Sequence, residues 1–256
     1  FFMIVNAATR EKDFRWLEAH NPENAELIDE SAAKTIVAVQ GPASEALLSK
    51  VFHFDFKLLR PFHFRTLDFS GEAMFVGATG YTGERGFEIV GLNKNTPFLF
   101  EKIFETGKEF GLRPVGFGAR DTLRLEAKYL LYGQDMDDET TPLEAGLEWA
   151  LDFSKDFIGC EALRKQMNEG LTRKLASFEI TGGGVARHGY EIVSGGRTVG
   201  SVTSGTFSPT LQKSIGLAYL PLALGAPGRE FEIKIRDRLV KAKSVKPPFY
   251  KKQNHD

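Results

Sequence analysis

The stretch beyond Gly170 constrains the fold more than any other feature of this chain. Short β-prone runs at 174–180, 191–193, 198–204, 214–219 and 230–235 alternate there with glycine, serine and proline clusters. Strands that short, punctuated so regularly, close into a small all-β barrel or sandwich. Residues before Gly170 read differently. Strands are expected at 1–5, 26–29, 35–39, 64–69, 73–78 and 86–90, and helices at 9–20, after Gly41-Pro42, at 95–107, 119–129 and 161–166. Mixed elements of this kind build a sheet with helices on one face. The expected fold class is therefore α+β, with sheet-and-helix domains over residues 1–170 and a small C-terminal β-barrel or sandwich over 171–256.

Composition narrows the function. With 33 basic and 34 acidic residues the net charge is -1, so no basic excess exists to neutralise a phosphate backbone, and a nucleic-acid partner is not expected. One cysteine, Cys160, leaves no internal disulfide, thiolate zinc cage or C-x-x-C pair. The longest uncharged stretch, 214–228, is broken by Pro221 and Pro227 and is shorter than the ~20 apolar residues of a membrane helix. No membrane partner is expected. The five histidines, His20, His53, His63, His188 and His255, have no zinc-ligand spacing, so no metal is expected. Ser204 and Ser208 lie outside any G-x-S-x-G elbow and read as turn or strand-end residues. Gly182-Gly183-Gly184 lacks the Lys-Ser/Thr of a phosphate loop and reads as a flexible turn. Phe1-Phe2-Met3-Ile4-Val5 reads as a strand already under way, without a signal peptide's basic segment. The expectation is a start at Met3 or a piece of something longer.

Two segments are denser than structure alone requires. From Gly77 to Glu88, glycines recur at short intervals after a strand and leave Tyr81, Glu84 and Glu88 exposed. Such glycines admit either a ligand or simply a decorated hairpin. Within it, Phe87 and Ile89 flank Glu88 along a strand and point to the opposite face. The second segment runs from Gly116 to Tyr129. Asp121 can pair with Arg124 at i,i+3, which leaves Arg120 to grip a carboxylate in a bidentate fork. An ordinary solvated helix face is the alternative.

At these segments the chain resembles the aminomethyltransferase family, the T-proteins of the glycine cleavage system. The resemblance is carried by Val5-Asn6-Ala7 with Lys12-Asp13, Gly80-Tyr81-Thr82-Gly83-Glu84, Gly86-Phe87-Glu88, and Ala119-Arg120-Asp121-Thr122-Leu123-Arg124-Leu125-Glu126-Ala127. It continues through Leu131-Tyr132-Gly133-Gln134-Asp135-Met136, Thr141-Pro142-Leu143-Glu144-Ala145-Gly146-Leu147, Lys155-Asp156-Phe157-Ile158-Gly159 and Thr203-Ser204-Gly205-Thr206-Phe207-Ser208-Pro209, ending at Pro248-Phe249-Tyr250. It implies an enzyme that takes an aminomethyl group from the lipoylated H-protein, releases ammonia and passes the one-carbon unit to tetrahydrofolate, in the cytoplasm or a mitochondrial matrix. By matched position, Glu88 resembles the pterin-recognising carboxylate and Arg120 the arginine that holds the folate's glutamate tail, with Tyr129 beside it. Tyr81 resembles the aromatic wall, Asn6 a polar contributor and Tyr250 a late folate contact. Arg187 resembles a barrel arginine with an interdomain role.

The family's Gly-Gly-Val-hydrophobic-Asp-Asp pattern, which carries the catalytic aspartate, has no counterpart in this sequence, so no residue is expected to be catalytic. The chain is expected to be a fragment retaining most of a folate pocket. Other folate-dependent one-carbon enzymes, such as a demethylase or the folate domain of a sarcosine or dimethylglycine dehydrogenase, and a silent folate-binding module are the alternatives. The folate-binding iron-sulfur assembly proteins carry Lys-Gly-Cys-Tyr where this chain has Lys155-Asp156-Phe157, with Cys160 three residues too late.

Overall fold

A computed structural model describes residues 1–251. The chain divides into two compact units, the first made of residues 1–80 and 84–114, the second of 81–83 and everything from Val115 onward. The expected division at residue 170 falls inside the second unit, where helices give way to barrel strands.

The first unit contains α1 (Arg10–Ala19), β1 (Lys34–Gln40), α2 (Ser44–Phe52), β2 (Phe64–Phe69), β3 (Glu72–Gly77), β4 (Gly86–Leu92) and α3 (Thr96–Gly107). The four strands form an antiparallel sheet in the order β1-β4-β3-β2. Helices form where apolar residues recur at three and four: Leu47, Leu48, Val51 and Phe52 on α2, and Leu99 and Ile103 on α3, are all buried. They pack with Val39, Met74, Val76, Phe87 and Ile89 of the sheet into one core. Alternation along β4 works as period two demands. Phe87 and Ile89 are fully buried while Glu88 faces the other way. On that other face Phe64 stacks on Phe75 at 4.5 Å and Phe2 packs against Phe75 at 5.0 Å, with Ile36 and Phe64 still exposed.

Residues 1–5 and 26–29 are not strands. Both were expected as strands from β-prone composition, and neither pairs with a neighbour, without which that composition forms no ladder. Helix α1 buries none of its residues, and its Trp16 stacks on His20 at 4.3 Å.

The second unit opens with α4 (Phe117–Glu126), the short α5 (Pro142–Ala145) and α6 (Cys160–Glu169). Helix α5 is only four residues long and is fixed by its ends. Thr141 and Glu144 form a reciprocal capping box, Pro142 occupies the first turn, and Gly146 terminates it at φ 74°. The barrel follows from β5 (Arg173–Ile180), β6 (Glu191–Ser194), β7 (Arg197–Ser208), β8 (Lys213–Pro221), α7 (Leu222–Gly225), β9 (Glu230–Ile235) and β10 (Arg238–Val245). Its strands close in the order β10-β5-β8-β7-β6-β9, which removes every free edge. Phe178, Ile192, Val202, Leu220 and Ile233 fill its interior. Strand β10 has no counterpart among the expected runs, although Val240, Ala242 and Ser244 point inward and Lys241 and Lys243 outward with period two. The barrel does not close without it.

Candidate functional site

The Gly77–Glu88 segment links β3 to β4. Glu88 sits on β4 opposite Ala38 of β1 and Gly77 of β3, and its Oε2 accepts from the Thr79 hydroxyl at 2.5 Å. Gln40 at the end of β1 donates from Nε2 to the carbonyls of Thr79 and Phe87, at 3.2 and 3.3 Å. A Cβ at Gly80 or Gly86 would run into that Gln40 amide. Those two glycines therefore serve a protein side chain. Arg85 anchors the same segment: Nε meets Glu45 at 2.7 Å, Nη2 donates to the carbonyls of Phe56 and Leu59, and the guanidinium lies 4.7 Å over the Phe87 ring. Sequence reasoning passed over both Gln40 and Arg85, whose hydrogen bonds just named reach residues 26 to 47 positions away. Asn6, also in this unit, is exposed, and its carbonyl accepts from Thr9 N–H at 3.2 Å.

Tyr81, Thr82 and Gly83 belong to the second unit. Tyr81 stacks on Tyr129 with ring centroids 5.7 Å apart and planes 24° apart, and its hydroxyl donates to the Leu130 carbonyl. Burial pushes the Tyr81 hydroxyl pKa up, with Arg124 and Arg120 opposing. The Arg120 guanidinium lies 4.6 Å from the Tyr81 ring centroid, a cation–π contact. Arg120 is exposed on the first turns of α4, and among the described residues no carboxylate lies within ion-pair distance of it. Gly83, at φ 78°, fits because Ala127 occupies the place its side chain would take, 2.8 Å away. The structure thus brings Tyr81, Arg120 and Tyr129 together.

A buried polar network supports this cluster. Arg124, 1% exposed, pairs as expected with Asp121, Nε to Oδ1 at 2.8 Å. It also pairs with Asp135, 0% exposed, at 2.5 Å, and donates to the Tyr129 carbonyl at 3.2 Å and to the Ser204 hydroxyl at 2.8 Å. Asp135 accepts in addition from Leu131 N–H and from the hydroxyls of Thr203 and Ser204. Burial disfavours the Arg124 cation, but the charges and hydrogen bonds of Asp135 and Asp121 together outweigh it, and its pKa lies above the ordinary value. Arg124 and the Tyr81 hydroxyl thereby hold two consecutive carbonyls, those of Tyr129 and Leu130. The expectation for Ser204 is corrected: it sits within β7, fully buried, as a member of this network. Ser208, also buried, donates to Glu126 at 2.5 Å, and Tyr250 N–H donates to the Glu126 carbonyl at 2.8 Å. Arg187 donates to the Gly205 carbonyl within the barrel unit at 3.2 Å.

The second unit by itself presents an aromatic pair with a guanidinium over one of its rings, and the first unit by itself a strand-borne carboxylate that accepts from a hydroxyl. The chain belongs to the glycine cleavage T-protein family: the GCVT N-terminal domain matches residues 1–155 and the glycine cleavage T-protein C-terminal barrel domain residues 173–251. An aminomethyltransferase from Thermosynechococcus vestitus is 45% identical over 250 residues, covering 97% of this chain and 67% of the relative. One from Thermoanaerobacter pseudethanolicus is 45% identical over 255 residues, covering 98% and 69%. The crystal structure of glycine cleavage system aminomethyltransferase T from Bartonella henselae superposes with a TM-score of 0.86 at 28% identity, over 96% of this chain and 67% of that one.

Proposed function

We propose that this chain acts as an aminomethyltransferase of the glycine cleavage system, working on the aminomethyl group carried by lipoylated H-protein, releasing ammonia and passing the one-carbon unit to tetrahydrofolate. The observation that carries this reading is the Arg120–Tyr81–Tyr129 cluster in a chain whose sequence matches aminomethyltransferases almost end to end. The residues present fit the acceptor. Tetrahydrofolate supplies the nitrogen nucleophile, and the chain's own side chains bind and orient it. Glu88 accepts from pterin N–H donors; Thr79 engages one of its oxygens, and a carboxylate has about four lone-pair sites to offer. Tyr81 and Tyr129 give the aromatic wall. Arg120, charged and exposed at the edge of that wall, holds the tail carboxylate, and Asn6 and Tyr250 add polar contacts. None of these residues is assigned a proton transfer. In this reading residues 1–170 carry the folate-binding role and 171–256 the supporting barrel, and the compartment is the cytoplasm, or the mitochondrial matrix in a eukaryote.

Calorimetric titration with tetrahydrofolate tests the site. Glu88→Ala and Arg120→Ala are each expected to weaken binding by about tenfold or more, the worth of a charge-assisted hydrogen bond. Unchanged affinity in both variants would remove the assignment. Ammonia release from aminomethyl-loaded H-protein separates this reaction from other folate-linked one-carbon transfers.

A further inference from the structure

Lys128 stands where a helix ordinarily takes glycine. It follows Ala127, the C-cap of α4, at φ 60°, the left-handed region that side-chain-bearing residues seldom adopt. The turn brings its side chain over Gly146. The position a Cβ would take on Gly146 lies 3.4 Å from Lys128 Nζ and 3.8 Å from Lys174 Cε. Among the described residues, no other atom outside Gly146 and its two chain neighbours comes within 4 Å of that point. The Lys128 ammonium and the end of the Lys174 stem therefore border one open spot.

Neither lysine forms an ion pair among the described residues, and the carboxylates nearby are committed elsewhere. Asp135 accepts from Arg124, Leu131, Thr203 and Ser204. Glu144 accepts from Arg173 at 2.7 Å and from Thr141. Burial first, and then the Lys174 charge, lowers the Lys128 pKa, with the Asp135 charge opposing. A half-buried cation beside a second cation is unfavourable until an anion arrives. Backbone geometry, the proximity of the two lysines and the lack of an ion pair to either among the described residues point the same way.

We propose that Lys128 and Lys174 form an oxyanion-binding site above Gly146, taking one carboxylate or phosphate group. Two sources offer that chemistry. One is a distal carboxylate on a γ-linked oligoglutamyl folate tail, a source that rests on the folate reading above and is suggested by Tyr129, the next residue, in the aromatic cluster. The other is a free oxyanion.

Inorganic phosphate titrated into the whole chain, with the amide signals of Lys128 and Gly146 followed by heteronuclear NMR, tests the site directly. Saturable shifts at both amides are expected, weakening as salt rises. Lys174→Gln is expected to weaken the binding by about tenfold, one charge-assisted contact. Lys128→Gly relieves the left-handed strain, so it is expected to unfold at a higher temperature and yet to lose the response. Displacement of phosphate by triglutamyl but not monoglutamyl tetrahydrofolate would assign the folate tail as occupant; phosphate binding undisturbed by either would assign a free oxyanion. Absence of saturation, or a response that survives in the Lys128→Gly, Lys174→Gln double variant, would overturn the proposal. Failure of tetrahydrofolate to bind at all would remove the folate reading while the phosphate result still decides this one.

Discussion

Replacing Asp135 by alanine should be among the most damaging single changes in the second unit. Its carboxylate is 0% exposed and takes four donors: Arg124 Nη1, Leu131 N–H, and the hydroxyls of Thr203 and Ser204. Alanine would leave the Arg124 guanidinium, itself 1% exposed, with Asp121 as its remaining carboxylate partner, and that residue is 47% exposed. Breaking a buried pair in this way costs about 3–5 kcal/mol. A domain's total stability is about 5–15 kcal/mol, so much of it is at stake. In urea, with a slope of about 1–3 kcal/mol/M, the midpoint should fall by more than about 1 M. Lys50–Glu109 is the internal control: both side chains are more than half exposed, and Glu109→Ala should cost less than about 1 kcal/mol. An isosteric Asp135→Leu should not rescue stability, because the Leu131 amide and the Ser204 hydroxyl would still lose their acceptor and Arg124 its buried partner, while the Thr203 hydroxyl alone keeps one in the Leu217 carbonyl. An Asp135→Ala cost as small as that of Glu109→Ala would refute the claim that this network is a single buried unit.

Three further outcomes follow from the same structure. Glu144 is buried, which would raise its pKa, but Thr141 N–H and Arg173 more than offset this and hold it below the ordinary 4.5. The stability it lends is therefore present above that value and lost as pH falls below it, so the penalty of Glu144→Gln, which keeps an acceptor for the Thr141 N–H but loses the Arg173 ion pair at about 1 kcal/mol or less, should shrink in acid-range denaturation curves. Tyr219 is pushed up to about 12, by burial first and then by the Glu144 charge, and its hydroxyl donates to the Asp135 carbonyl at 2.8 Å. Its contribution should hold below the ordinary 10 and fade toward 12; alkaline absorbance titration should show a tyrosinate near 12 that disappears in Tyr219→Phe, while the upward shift of Tyr81 persists. Gly83→Ala adds a Cβ 2.8 Å from that of Ala127 on a backbone with φ 78°, and should cost about 1–3 kcal/mol by thermal or urea unfolding, whereas Gly195→Ala, open on all sides though equally left-handed, should cost only the backbone strain.

Local patterns in the chain were legible where physics acts over a few residues. Alternation around Glu88 told which way it faces because successive strand side chains must oppose each other, and the Asp121–Arg124 pair followed from helical spacing. Helical spacing does not say how wide the covering surface is: Phe98, beside buried Leu99 on α3, stays 54% exposed. Strand β10 escaped notice although its inward Val240, Ala242 and Ser244 alternate with lysines. Small and polar inward residues carry little hydrophobic contrast. The expected strand at residues 1–5 failed for the opposite reason: contrast was present and a pairing partner was not.

By itself the sequence determined the class of each half and the family to which the chain belongs, because both rest on residue order and short-range periodicity. It also singled out Glu88 and Arg120. Tertiary structure alone decided that Asp135, in what reads as an acidic loop, is wholly buried and tied to hydroxyls 68 and 69 residues further along the chain. It likewise decided that Gly80 and Gly86 make room for Gln40, and that Lys128 meets Lys174 over Gly146. Such contacts join residues far apart in the chain. Burial and electrostatic partnership are properties of neighbours in space, and no local pattern encodes them.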